Sequence, residues 1–322
     1  MSDTEAAESW RPAASWTMMR RRARMYADIR SFFAQRGMLE VDTPILSGAM
    51  NPDHQIESLS VNTSDMPRYL HTSPEFAMKR LLAAGSGPIW QLCRVFRKGE
   101  SGRRHNPEFT MLEWYQPGYS EQDLMQEVAD LIQQLHAQPV PVAFVAYRQA
   151  FRQYAGFDPL AGDLKVLRQA TRERFDWSDE DREPMLDLWL AEVVEPALPH
   201  DSLTFIHDWP ASKAALARIA PDPEDGQPIA RRFELFWQGM ELANGYYELT
   251  DAAEQAQRFE AEQRRRVRHR LHVAPLDRYL DQAMQAGLPE TAGVALGVDR
   301  LLMALTGTRD IREVLAFPAD RA

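Results

Sequence analysis

Apolar positions recur at helical spacing from Met18 to Arg36, and Gly37 stands where a helix end needs a residue free to turn left-handed. A short strand, Leu39 to Val41, follows, and then Asp42-Thr43-Pro44. Ser73-Pro74-Glu75 opens a second helix, with proline at the first helical position and apolar residues through Leu82. Ile89 to Phe96 and Phe109 to Tyr115 read as strands joined by a polar loop that holds Arg97, Lys98, Glu100, Arg103, Arg104, His105 and Asn106. Together they predict an antiparallel hairpin with a long, functional connection. Gln122 to His136 is helical. From 139 to about 228 the chain carries proline-rich joints and short helices, notably Glu183 to Leu198, in the manner of a helical insertion. Arg231 to Trp237 and Glu241 to Leu249 predict strands, Asp251 to His269 a long polar helix, and Ala292 to Val298 a small-residue strand before a helix from Asp299 to Leu305. The pattern predicts an α+β fold, a mostly antiparallel sheet flanked by helices, over residues 16–322 behind a flexible lead at 1–15.

Composition narrows the class. Hydrophobic residues make up 44% and charged residues 26% of the 322, as in soluble globular proteins. No apolar run approaches membrane-spanning length, and Cys93 is the single cysteine, so a cytoplasmic protein without a disulfide framework is expected. A net charge of -10 argues against broad binding to nucleic acid. Positive charge is clustered at Arg20, Arg21, Arg22 and Arg24 and again at Arg264, Arg265, Arg266, Arg268 and Arg270. Solvated helix faces explain most such runs; a docking surface for an acidic partner is the sharper reading. No Gly-Lys pair occurs, which excludes a Walker-type loop, and no G-x-G-x-x-G follows a strand. Any nucleotide must be held by arginines, carboxylates and a sheet surface.

Three segments supply that set: Phe96-Arg97-Lys98-Gly99-Glu100 continuing through His105-Asn106-Pro107-Glu108-Phe109 to Glu113-Trp114-Tyr115; Glu234 through Glu241-Leu242-Ala243-Asn244-Gly245-Tyr246-Tyr247-Glu248; and Gly293-Val294-Ala295-Leu296-Gly297-Val298-Asp299-Arg300. In order and spacing they resemble motifs 2 and 3, and the acidic strands between them, of class II aminoacyl-tRNA synthetases. Arg36-Gly37 through Asp42-Thr43-Pro44 resembles motif 1, which implies a homodimer. The likeness is nearest the lysyl branch, through Ser73-Pro74-Glu75, His105 to Phe109 and Glu241 to Gly245. That branch carries an anticodon-binding domain ahead of motif 1, roughly a hundred residues or more, for which this chain leaves no room. It is therefore similar to the free-standing lysyl paralogues, ligases that join (R)-β-lysine to a lysine side chain of elongation factor P. A truncated enzyme charging tRNA or a small carrier, and a non-catalytic regulatory paralogue, are the alternatives.

The resemblance implies roles. Arg97 bridges the α-phosphate of ATP and the amino-acid carboxylate, and Arg300 clamps the γ-phosphate. Glu100, His105, Asn106, Phe109, Glu241, Leu242 and Gly297 complete the ATP site, and Glu234 and Glu241 hold Mg2+ through hard carboxylate oxygens. A guest with two ammonium groups needs acidic partners, and Ser73, Pro74, Glu75, Glu113, Tyr115, Asn244, Tyr246, Glu248 and Ala295 match the lysyl pocket. Tyr115 and Glu248 fall to the distal ammonium and Glu75 to the nearer one. Two positions depart from the pattern. Gly99 replaces the glutamate of motif 2, with Glu100 one residue later. Ala295 replaces a glycine, and its methyl is expected to disfavour α-lysine.

Overall fold

The computed structural model describes residues 10–64, 66–161, 163–178 and 181–322. Of the expected lead, residues 1–9 lie outside the described residues. Ala13 and Ala14 donate to the carbonyls of Ala316 and Leu315 at 2.8 and 3.0 Å, so the chain is tied to its C-terminal segment before the first helix. Helix α1 (Trp16–Gln35) starts where Ser15 accepts from the Met18 amide at 3.1 Å, and it buries Met25, Ile29, Phe32 and Phe33 on one stripe. Gly37 takes φ +67°, the predicted left-handed turn.

Strand β1 (Leu39–Glu40) runs parallel to β5 (Ile89–Phe96). Between them lie a small antiparallel sheet of β2 (Leu46–Ser47), β3 (Ser60–Asn62) and β4 (Pro67–Leu70), and helix α2 (Glu75–Ala83). Pro74 precedes α2 rather than opening it, with φ -77°. Strands β5 and β6 (Glu108–Pro117) pair from Ile89 opposite Tyr115 to Phe96 opposite Glu108, which leaves 97–107 as the predicted connection. Helix α3 (Glu121–Leu135) follows, capped reciprocally by Ser120 and Asp123.

The stretch 139–228 corrects the sequence reading. Strands β7 (Val142–Ala146) and β8 (Leu203–Pro210) bracket helices α4 (Tyr147–Ala150), α5 (Leu164–Phe175), α6 (Arg182–Trp189) and α7 (Glu195–Ala197), with π-helical turns at Phe151–Ala155 and Leu190–Val194. Strand β8 pairs with β10 (Pro228–Trp237), so only the part between two sheet strands is helical. The strand carries no alternation: Leu203, Phe205 and Ile206 are at 0% exposure and Thr204 at 1%. Strands buried on both faces lose the period of two that marks them.

Strands β9 (Ile219–Pro221), β11 (Met240–Tyr247) and β12 (Thr291–Gly297) complete the main sheet, with helices α8 (Ala252–Arg268), α9 (Arg278–Ala286) and α10 (Val298–Thr306). Among the described residues the order is β1-β5-β6-β12-β11-β10-β8-β7, with β9 on β10, and only β1·β5 and β7·β8 are parallel. Helices α1, α3 and α10 bury one face around Phe33, Trp90, Trp114, Val128, Leu296 and Leu301. Phe33 stacks on Trp90 at 4.8 Å. The opposite face carries the site.

The two arginine runs are not wholly solvated. Arg22 reaches inward to the buried Asp299 and the Val314 carbonyl, and Arg266, at 1% exposure, donates to the carbonyls of His272, Asp53 and Ile56. Each run thus contributes one internal strut, because a guanidinium can satisfy several carbonyls at once.

Candidate functional site

Residues opposite one another in antiparallel strands project from the same face. Two rows therefore cross the open face of the sheet. One runs Gln91, Glu113, Ala295, Asn244, Glu234; the next runs Ile89, Tyr115, Gly293, Tyr246, Arg232. Residues far apart in sequence meet here because the central strands lie side by side.

At one end the rows form an acidic, water-poor pocket. Ser73 donates through Oγ to Glu113 Oε2 at 2.7 Å, and the Tyr115 hydroxyl donates to Glu113 Oε1 at 2.7 Å. Ser73 Oγ also accepts from the Glu75 amide at 3.0 Å, which fixes the entry to α2 beside Pro74. Lys79, wholly buried, sets its Nζ 2.7 Å from Glu75 Oε1 and 2.7 Å from Glu248 Oε2. Burial, with the neighbouring Glu75, pushes the Glu113 carboxyl up to about 8. Burial also raises Glu248 to about 7, against the pull of Lys79. Burial likewise raises the Tyr115 and Tyr246 hydroxyls, and it pushes the half-buried Cys93 thiol up to about 12, which makes that thiol structural rather than nucleophilic. Asn244 donates to the Tyr246 hydroxyl at 3.2 Å and accepts from Arg232 Nε at 3.2 Å. The floor is Gly293. A Cβ there would lie 2.3 Å from Tyr115 Cε1 and 2.5 Å from Glu248 Oε1.

The other end is a cluster of cations and carboxylates. Arg97 lies over the Phe109 ring at 5.1 Å and 3.5 Å from Glu100, and its Nε is buried without a partner among the described residues. Gly99 takes φ +83°, so a glutamate there would be strained, and Glu100 reaches Arg97 instead. Arg300 donates to the Glu241 carbonyl at 3.0 Å and lies 3.4 Å from its carboxylate and 2.6 Å from His105 Nε2. Burial and Arg300 lower the His105 pKa, so a neutral ring accepts from the guanidinium. Gly297 follows the regular register opposite Met111, and a Cβ there would meet nothing nearer than 3.9 Å, including the Leu242 carbonyl. The fold does not itself demand glycine at that position.

Glu234 pairs with Arg232, yet burial, reinforced by Glu241 and Glu195, pushes it up to about 8. Glu195 is itself raised to about 7 by burial and Glu241. Asn106, expected at the nucleotide, is held by backbone groups. Its amide donates to the Glu108 carbonyl at 2.6 Å and accepts from the Ala319 amide at 3.0 Å, so both ends of the side chain bind backbone. Glu75 and Glu248 share Lys79, and Tyr115 pairs with Glu113.

The sequence reading missed Lys79, Arg232, Glu195 and the role of Gly293. Lys79 carried a usable signal, four residues after Glu75 on one helix. Glu195 carried none, since the inserted helices bring it in.

Residues 9–321 match the family described as tRNA synthetases class II (D, K and N). The chain is also similar to proteins named elongation factor P–(R)-β-lysine ligase from Salmonella paratyphi B and Salmonella schwarzengrund. Each is 47% identical over 334 residues, which covers 100% of this chain and 100% of the relative.

Proposed function

The chain belongs to the class II tRNA synthetases of the D, K and N type, and from that premise we propose that it is an ATP-dependent ligase that activates (R)-β-lysine and transfers it to a lysine of elongation factor P. The observation that carries this reading is the shared sheet face. The carboxylate pocket and the arginine cluster of Arg97 and Arg300 stand at its two ends, with Ala295 and Asn244 between them.

The first step joins a carboxylate oxygen of the amino acid to the α-phosphorus of ATP as the bond to pyrophosphate breaks. That carboxylate is ionised at neutral pH, so no base is required. Positioning and neutralisation of charge make up the work. Arg97, whose buried Nε has no partner among the described residues, bridges the α-phosphate and the carboxylate, and Phe109 beneath it stacks on adenine. Arg300 clamps the γ-phosphate beside His105, Glu100 reads the adenine side, and Gly297 and Leu242 give the nucleoside close access to backbone. Glu234 and Glu241 suit Mg2+: burial, with Glu241 as a neighbouring charge, raises Glu234, and a divalent cation would offset that cost. The ion supplies charge neutralisation on the phosphates. Glu75, Glu113, Glu248 and Tyr115 hold the two ammonium groups, and the Ala295 methyl narrows the space between Glu113 and Asn244. In the second step the acceptor lysine attacks the adenylate carbonyl and AMP leaves. Exposed Leu39, Ile45 and Leu46 beside the motif 1 helix support a homodimer. No helix among the described residues is long and apolar enough to cross a membrane, in keeping with a cytoplasmic enzyme.

The test is ATP–pyrophosphate exchange with α-lysine and (R)-β-lysine, then mass analysis of elongation factor P and a tRNA-charging assay. We expect exchange favouring (R)-β-lysine and a mass gain on the protein acceptor. Charging of tRNA alone would support a truncated synthetase, and no exchange with any amino acid a regulatory paralogue.

A further inference from the structure

The amino-acid pocket holds a cation of its own. Lys79 reaches from α2 and lies within 2.7 Å of two carboxylates that the substrate would otherwise meet bare. The groups facing this cluster are Glu75 from α2, Glu113 and Tyr115 from β6, Cys93 from β5, and Tyr246 and Glu248 from β11 and its end; Arg232 lies behind Tyr246. We propose that Lys79 is a specificity-determining positioning residue: it neutralises one of three clustered carboxylates, so the pocket is completed by a guest bringing two ammonium groups and sheds a proton when that guest enters. This rests on the lysine-type substrate reading above.

Charge and burial carry the argument. Lys79 is at 0% exposure, Glu248 at 1% and Glu113 at 2%, so none can exchange its partner for water. A buried charge must be matched or neutralised by protonation. Three carboxylates against one ammonium leave two negative charges. In the empty pocket the protein meets that excess by holding a proton, and Glu113, pushed up to about 8, is its site. Two incoming ammonium groups replace the proton, which leaves for solvent. The sign follows: Glu113 is protonated in the empty form below about pH 8 and ionised in the occupied form. Affinity for a diamino acid therefore falls as pH drops below that point, by about tenfold per unit for one linked proton. A guest with one ammonium group, such as norleucine, shows no such dependence.

Calorimetric titration of the whole protein with (R)-β-lysine, L-lysine and norleucine, in two buffers of different ionisation heat at pH 7, counts the protons. We expect about one released per diamino acid and none for norleucine. Lys79→Met bares the carboxylates that Lys79 neutralises and should raise the preference for lysine over norleucine by roughly tenfold or more, whereas Lys79→Arg, which keeps the charge, should hold it within about threefold. ATP affinity should be unchanged in both, as a check of the fold. Diamino-acid binding without proton release, or wild-type preference in a folded Lys79→Met, overturns this proposal alone. If Lys79→Met does not fold, Lys79→Arg and the wild-type proton count decide. Absence of diamino-acid binding by the wild type overturns the substrate reading, and this proposal with it.

Discussion

Replacing Gly293 by alanine tests the pocket with a single methyl group. The added carbon would stand 2.3 Å from Tyr115 Cε1, 2.4 Å from Tyr115 Cδ1 and 2.5 Å from Glu248 Oε1. Unbonded carbon atoms settle at about 3.5–4.0 Å, so the ring or the carboxylate must retreat by more than an ångström. Overpacking of this kind costs roughly 1–3 kcal/mol. Retreat of Tyr115 also breaks its 2.7 Å hydrogen bond to Glu113. That leaves a buried hydroxyl and a carboxylate oxygen unpaired, for roughly another 1–3 kcal/mol. A loss of 1–3 kcal/mol in substrate binding is about 5- to 150-fold in affinity. Pyrophosphate exchange at saturating ATP should show the KM for the amino acid rising by that order, with the KM for ATP unmoved. Denaturant unfolding should show the strain as lost stability. Unchanged amino-acid KM and unchanged stability together would refute the claim that Gly293 is the pocket floor. An equal rise in the ATP KM would refute the separation of the two ends.

Removing the Arg300 guanidinium should strike the nucleotide end: Arg300→Ala is expected to slow exchange by about 10²–10³, as for loss of one charged donor, while binding of the amino acid alone, followed by calorimetry, stays as in the wild type. Asp299, at 1% exposure, accepts from Arg22 and from the Thr110 amide at 2.7 Å. Asp299→Ala strands that guanidinium and should destabilise the fold by roughly 3–5 kcal/mol in denaturant titration; an unaltered unfolding curve would show that the contact carries no weight.

The sequence displayed what is local. Helix α1, with its cap and terminal glycine, and the β5–β6 hairpin lie where apolar spacing puts them, because those signals depend on neighbours in the chain. Of the motif residues, Glu113 and Tyr115 fall on the expected strand, Arg97 in the expected connection and Arg300 at the start of the expected helix. Strands β7 and β8 were illegible: β8, buried on both faces, reads as an apolar run, and its partner β7 lies across the intervening helices. The pairing of Lys79 with the carboxylate pocket escaped for a related reason. Glu75 and Lys79 pair within one helix, but Glu248 arrives from the far side of the sheet. Arg22 and Arg266 looked like surface charge because their acceptors, Asp299 and the carbonyls near Asp53, are visible only in three dimensions.

The last residues of the chain act as a splint. Asn106 accepts from the Ala319 amide at 3.0 Å, and the Arg103 carbonyl accepts from the Ile311 amide at 2.8 Å, so the loop between β5 and β6 is braced at two points by the tail. The tail in turn is laced to Ala13 and Ala14. A loop braced in this way gives up less disorder when a ligand arrives. Trimming the chain after α10, or fusing a bulky tag closely behind the tail, would slacken the strap that carries His105 while leaving every motif intact. The working unit therefore extends past the last helix.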